Sequence, residues 1–234
     1  MTAERGRGPE PRLRHEDERR PSREAATAEE RRAQLVRTLE RSGIQDRRVL
    51  DAIGRVPRER FVPEQLAAEA YEDRALPIGE GQTISQPYVV ARMTELLDPQ
   101  PGDHVLDVGG GSGYQAAVLA ELVRDVVSVE RQPALAAAEA ARLADLGYTN
   151  VRVVHGDAST GFAEAAPYDK ILVAAAAPSI HPDLAAECAP HGRIVAPVGP
   201  RDGQVLIVRH GDGRIERAGP VGFVPLVGEG GFTE

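Results

Sequence analysis

Val105-Leu106-Asp107-Val108-Gly109-Gly110-Gly111-Ser112-Gly113-Tyr114 is the stretch on which the reading of the fold turns. A short apolar run ends in a glycine-rich loop, and a helix-compatible segment opens directly behind it. Glycine reaches positive φ without a Cβ clash and lets a ligand lie against the main chain, so a strand feeding such a loop is a binding geometry. Outward from it, strands and helices alternate. His104–Val108 reads as a strand and Tyr114–Val123 as a helix. Val126–Val129 is the next strand, followed by a helix from Pro133 to Leu146 that Gly147 ends. Val151–Val154, Lys170–Ala174 and Arg193–Pro197 read as further strands. This rhythm predicts an α/β chain with a doubly wound, mostly parallel, Rossmann-like sheet.

The flanks differ in kind. Residues 1–26 carry almost no large apolar side chain, so a disordered, charged tail is expected there. Residues 27–234 are expected to form one domain: an N-terminal helical layer with a binding motif (27–100), a cofactor-binding core (101–200) and C-terminal strands (201–234). Thr27 and Glu30 make a capping-box pattern ahead of a helix that sets Leu35, Val36 and Leu39 on one side. A second helix, Arg47 to Ile53, follows Asp46. Pro87 suits the first turn of a helix running to Leu97, with Ser85 or Gln86 as its cap. Gln204–Arg209 and Val221–Val227 are expected to be strands joined around Gly211-Asp212-Gly213, an antiparallel ending.

Composition removes several classes of function. The 234 residues carry a formal net charge of −8, which disfavours a nucleic-acid binder held by phosphate contacts. No apolar run approaches the ~18 residues of a membrane helix, and the charged N-terminus lacks a signal-peptide core. Cytoplasmic residence is therefore the default, with no membrane or nucleic-acid partner expected; a monomer is expected as well. Cys188 is the single cysteine. On the helical stretch Pro182–Ala189 it reads as a small buried residue. His155, His181 and His191 lack metal-cluster spacing, and no metal is expected.

Two cofactors compete for the glycine loop. Gly111-x-Gly113-x-x-Ala116 fits a dinucleotide fingerprint, which is a weak signal alone. Glu130 closes the second strand, 17 residues after Gly113, where a carboxylate can accept bonds from ribose hydroxyls. Asp107, two residues before Gly109, completes D-x-G-x-G-x-G. That pattern resembles motif I of the S-adenosylmethionine-dependent methyltransferases, whose acid faces the positively charged methionine part of the cofactor. A carboxylate aimed at pyrophosphate would repel it. His155-Gly156-Asp157-Ala158 resembles the adenine-binding turn of the same class.

A second set of motifs narrows the resemblance. Val56–Val62 (VPRERFV), Ala75–Gly79 (ALPIG), Gly81–Pro87 (GQTISQP), Ala166–Asp169 (APYD), Gly192–Gly199 (GRIVAPVG) and Phe223–Val227 (FVPLV) together resemble the protein-L-isoaspartate O-methyltransferases over roughly Ala33 to Val227. The resemblance implies methyl transfer from S-adenosylmethionine, leaving S-adenosylhomocysteine, to the free carboxylate of isoaspartyl residues in damaged proteins. It implies Ser85 as the active-site residue, touching catalysis and substrate alike. Gln82, Thr83, Ile84, Asp107, Gly109, Gly111, Gly113, Glu130, Gly156 and Asp157 would surround the cofactor. Val224, Pro225 and Leu226 would offer backbone groups to an extended substrate peptide.

The chain departs from the family pattern at two places. Gly110 stands where a small polar residue is expected, a change expected to cost rigidity and little else. Gly222 stands where relatives often carry Arg. Rival readings are an aspartate O-methyltransferase of a peptide-modification pathway, an NAD-dependent oxidoreductase and a non-catalytic cofactor-binding protein. Ser85, Asp107 and the intact loop argue against each in turn.

Overall fold

The computed structural model describes residues 26–233, so the tail expected over 1–26 lies almost wholly outside the described residues. Helix α1 (Ala28–Arg41) begins at the capping box read from the sequence. Thr27 Oγ1 accepts from the Glu30 N–H at 3.1 Å, and Glu30 Oε2 accepts from the Thr27 N–H at 2.8 Å. Leu35 and Leu39 are buried one turn apart against α2 (Arg47–Arg55), whose N-cap is Asp46. A 3₁₀ turn, Arg58–Phe61, leads to a small hairpin of β1 (Leu76–Gly79) and β2 (Gln82–Ile84), which the sequence reading had not resolved into strands. Helix α3 (Pro87–Leu97) follows with Pro87 in its first turn. Neither Ser85 nor Gln86 caps it through a side chain. Asp73, distant in sequence, takes the Tyr88 N–H at 2.8 Å instead.

The core alternates β3 (His104–Val108), α4 (Tyr114–Ala120), β4 (Asp125–Glu130), α5 (Pro133–Asp145) and β5 (Val151–His155). It continues through β6 (Tyr168–Val173), α6 (Pro182–Ala186), β7 (Cys188–Val198), β8 (Gln204–His210) and β9 (Ile215–Val221). Strand order is β5-β4-β3-β6-β7-β8-β9, with the first five parallel, β8 antiparallel to β7 and β9 antiparallel to β8. The chain winds from β3 toward β5 on one side and from β6 toward β9 on the other. The carboxyl end of β3 is thus the switch point, where open α/β sheets bind ligands. Alternate residues of β3 face opposite layers. Val105 joins the core under α1 to α4, and Leu106 and Val108 join the core on the α6 side.

Three sequence expectations need correction. Helix α4 stops at Ala120 rather than Val123, because Asn150 Nδ2 donates to the Ala120 carbonyl at 3.0 Å and the chain turns toward β4. Cys188 lies at the start of β7, paired opposite Tyr168, and not on a helix; it is buried, and burial pushes its thiol pKa up. Val221–Val227 is not the last strand. β9 runs Ile215–Val221, and residues beyond it cross back over the sheet, where Pro225 bridges to Ala176 in parallel. Among the described residues no helix is long and apolar enough to cross a membrane.

Candidate active site

The glycine loop leaves β3 with Gly109, Gly111 and Gly113 at φ of +89°, +58° and +84°, conformations that L side chains rarely adopt. Its amides turn inward. The Gly109 N–H donates to the Val129 carbonyl at 2.9 Å, as does the Gly110 N–H at 3.4 Å, and the Gly113 N–H donates to the Gly110 carbonyl at 2.8 Å. The Gly111 N–H donates to Glu130 Oε2 at 2.9 Å, while Glu130 Oε1 accepts from the Gln132 N–H at 2.7 Å. These four glycine amides are therefore spent inside the protein and are not available to a pyrophosphate, the interaction a dinucleotide loop depends on. Carboxylates flank it instead, Asp107 near the end of β3 and Glu130 at the end of β4, which suits a cation.

Asp107 carries that argument furthest. It is wholly buried and both carboxylate oxygens lack a hydrogen-bond partner. The neighbouring Ser128 hydroxyl, which pulls the Asp107 carboxyl down only slightly, donates to Glu139 Oε1 at 2.7 Å. Burial first, and the negative charge of Glu130 second, push the Asp107 carboxyl up to about 7. An unpartnered buried acid at a ligand-binding switch point is costly unless a positive group answers it, and the ammonium and sulfonium of S-adenosylmethionine are such groups.

A cleft that encloses about 640 Å³, open solvent included, lies above the loop. Gly109, Gly111, Glu130, Gly156 and Asp157 line it, with Gln82 and Thr83 reaching in from the β1–β2 hairpin. Asp157 receives N–H groups from Ser159 at 2.8 Å and Glu229 at 3.0 Å. Burial pushes its carboxyl up, but the hydrogen bonds from Ser159 and Glu229 outweigh this and hold it below the ordinary carboxylate range. Three expected cofactor residues do not line the cleft. Asp107 lies beneath its floor, the Ile84 side chain is buried in the core, and Gly113 packs against Glu139 at the start of α4.

Ser85 borders a second cleft of about 970 Å³, together with Gly222 and Phe223. Thr83, Ala174 and Val224 line both clefts, so the two adjoin, with Ser85 on the side of the second. Arg58 positions this serine. The guanidinium is fully buried, donates from Nε to the Ala70 carbonyl at 2.8 Å and from Nη2 to the Ser85 carbonyl at 2.7 Å, and stacks 4.7 Å over the Tyr114 ring. The VPRERFV segment had been singled out in the sequence without a role; Arg58 is that role.

The C-terminal segment closes the far side. Ala176 donates its N–H to the Val224 carbonyl at 2.8 Å and accepts from the Leu226 N–H at 2.7 Å, and the Phe232 N–H takes the Leu226 carbonyl at 2.7 Å. Of the backbone groups expected to greet a peptide at Val224, Pro225 and Leu226, those three are thus engaged within the protein. Among the described residues, the Val224 N–H and the Pro225 carbonyl remain. Gln204, missed by the sequence reading, secures the segment: its amide accepts from the Phe223 N–H at 2.7 Å and donates to the Phe223 carbonyl at 3.3 Å.

Comparison with known proteins identifies the family. Residues 30–231 match the model of the family described as protein-L-isoaspartate(D-aspartate) O-methyltransferase. A protein-L-isoaspartate O-methyltransferase from Anaeromyxobacter dehalogenans is 57% identical over 199 residues, covering 82% of this chain and 95% of the relative. One from Aeropyrum pernix is 52% identical, covering 91% and 85%. A solved protein-L-isoaspartate O-methyltransferase superposes with a TM-score of 0.76 at 27% identity, covering 85% of this chain and 66% of its own. A Plasmodium falciparum structure described in the same terms, in complex with S-adenosyl-L-homocysteine, gives 0.73 at 25% identity, covering 84% of this chain and 98% of its own. With the family model matched over most of its length and relatives more than half identical to it, the chain belongs to the protein-L-isoaspartate(D-aspartate) O-methyltransferase family.

Proposed function

We propose that this chain methylates the free carboxylate of isoaspartyl residues in damaged proteins, with Ser85 orienting that carboxylate. The junction of the two clefts at Thr83, Ala174 and Val224 carries the reading, since it lets a carboxylate beside Ser85 meet a methyl donor above the glycine loop. Bound there, S-adenosylmethionine supplies a methyl group activated by its sulfonium. Glu130 keeps lone pairs for ribose hydroxyls after accepting the Gly111 and Gln132 amides, and Asp107 answers the cofactor's positive charge.

The substrate needs no general base. A free α-carboxyl has a reference pKa near ~3.5 and is ionised at neutral pH. The protein's task is to hold the oxyanion in line, roughly 3 to 3.5 Å from the carbon it attacks, and to exclude water. The Ser85 hydroxyl makes no hydrogen bond within the described residues and is free to donate to the substrate. Its backbone is fixed by Arg58, so the hydroxyl is aimed before substrate arrives. An extended peptide would lie along the C-terminal segment and pair with the Val224 N–H and the Pro225 carbonyl. The methyl ester then closes to a succinimide on its own, and hydrolysis returns part of it to normal aspartate. The same reading has the chain working as a cytoplasmic monomer, without membrane or nucleic acid.

Methyl transfer from labelled S-adenosylmethionine to paired synthetic peptides, one isoaspartyl and one aspartyl, tests the substrate. Base-labile label on the isoaspartyl peptide alone is expected; label on neither peptide, with cofactor bound, refutes it. Ser85→Ala should slow turnover about tenfold to a hundredfold, with S-adenosylhomocysteine binding little changed. Unchanged turnover would remove Ser85 from the reaction.

A further inference from the structure

Beneath the glycine loop lies a buried acid that the proposed reaction does not use. Glu139 sits on α5 with its side chain wholly buried, and its Oε1 accepts the Ser128 hydroxyl at 2.7 Å. Both ends of the loop rest on it. A Cβ at Gly110 would lie 2.2 Å from Glu139 Oε2 and 2.4 Å from Ser128 Oγ, and a Cβ at Gly113 would lie 2.9 Å from Glu139 Cγ. Gly110 does not adopt a left-handed conformation, so its want of a side chain answers a need for space. This corrects the expectation that glycine at 110 merely costs rigidity. One turn further along α5, Arg142 Nη1 donates to the Ser112 carbonyl at 2.6 Å, so the same helix grips the loop a second time.

We propose that Glu139 is a positioning residue for the cofactor loop: its carboxyl occupies the space that a side chain at position 110 would take and, with Ser128, sets how the loop meets S-adenosylmethionine. The inference rests on the glycine loop being the cofactor site and is independent of Ser85. The groups facing Glu139 fit the role of a neutral spacer. Asp107 on β3 and Glu130 at the end of β4 are acidic, Ser128 donates to it, and the cation Arg142 acts on it. Burial, with Asp107 and Glu130, pushes the Glu139 carboxyl up to about 8 against the pull of Ser128 and Arg142. A protonated acid fills space and accepts from Ser128 without competing with Asp107 for the cofactor's charge.

The test is a double-mutant cycle on the full chain with a conservative control, read by calorimetric titration with S-adenosylhomocysteine and by steady-state kinetics. Gly110→Ser alone should weaken cofactor binding about tenfold or more, because Glu139 blocks the new side chain. Glu139→Ala alone should weaken it severalfold by leaving a void and an unpaired Ser128. The pair Gly110→Ser with Glu139→Ala should recover affinity to within about threefold of the parent, since the serine then occupies the vacated space. Glu139→Gln, which keeps the shape of the neutral acid, should also bind within about threefold. Losses should appear in KM for S-adenosylmethionine and not in kcat, because the loop binds cofactor and does not touch the reacting carboxylate.

Additive effects of the two single changes, or a Gly110→Ser protein that binds like the parent, would overturn the inference. So would a thermal midpoint that falls while the affinity of the folded protein holds, since that is a purely structural role. A parent chain that does not bind S-adenosylhomocysteine would overturn the cofactor assignment and this inference with it. A parent that binds while the cycle is additive overturns only this inference.

Discussion

Replacing Asp107 with asparagine probes the charge beneath the glycine loop. The side chain is wholly buried with neither oxygen hydrogen-bonded, and its carboxyl is pushed from the ordinary 3.8 up to about 7. That is about three pH units, and at about 1.4 kcal/mol per unit the fold resists ionising this group by about 4 kcal/mol. The folded protein holds a proton that the unfolded chain has released between about pH 4 and pH 7. The stabilisation is therefore full below pH 4 and is lost as the pH rises through 7. Glu139, pushed up from 4.5 to about 8 mainly by burial, acts in the same direction and extends the decline toward pH 8. Asparagine keeps the shape and cannot ionise. Urea denaturation of the cofactor-free protein at pH 5 and pH 9 is the assay. Two of the three units lie between these values, so the parent should lose about 3 kcal/mol more than Asp107→Asn across the range. The variant should also bind S-adenosylmethionine more weakly, since the cofactor loses its buried counter-charge. Parallel pH curves for the two proteins would refute the reasoning.

The other expectations follow from single contacts. Arg58→Met removes the donors to the Ala70 and Ser85 carbonyls and should cost about 2–4 kcal/mol in urea denaturation, with a fall in kcat for isoaspartyl peptide; a loss under about 1 kcal/mol would show that the guanidinium is dispensable. Gln204→Leu frees the Phe223 backbone, so KM for peptide should rise severalfold while the S-adenosylhomocysteine Kd stays put. If both constants move together, the segment is not a separate substrate wall. Asp73→Ala takes the cap from α3 and should cost about 1 kcal/mol, measurable by chemical denaturation; no change would mean water caps the Tyr88 amide equally well.

Much of the core was legible because its signals are local. Hydrophobic runs between glycine and proline punctuation located β3 through β7, and Thr27 with Glu30 located the start of α1, since a capping box is completed within one helical turn. The resemblance placed Ser85, Glu130, Gly156 and Asp157 where the two clefts form. The last strand was misplaced because Val221–Val227 has a strand's composition, yet its hydrogen bonds go to Ala176 and to the Gln204 side chain rather than to a neighbouring long strand.

The sequence by itself therefore determined the βαβ order, the switch point at the end of β3 and the family, because periodicity and motifs are properties of neighbours along the chain. Tertiary structure alone decided which polar groups are spent and which remain. Asp73 caps a helix that starts 14 residues later, Arg58 holds a carbonyl 27 residues away, and Glu139 claims the space above Ser128 that makes Gly110 a glycine. Each is a pairing between segments far apart in the chain. Burial and close packing exist only once those segments meet, and they are what turn an ordinary arginine or glutamate into a part of the site.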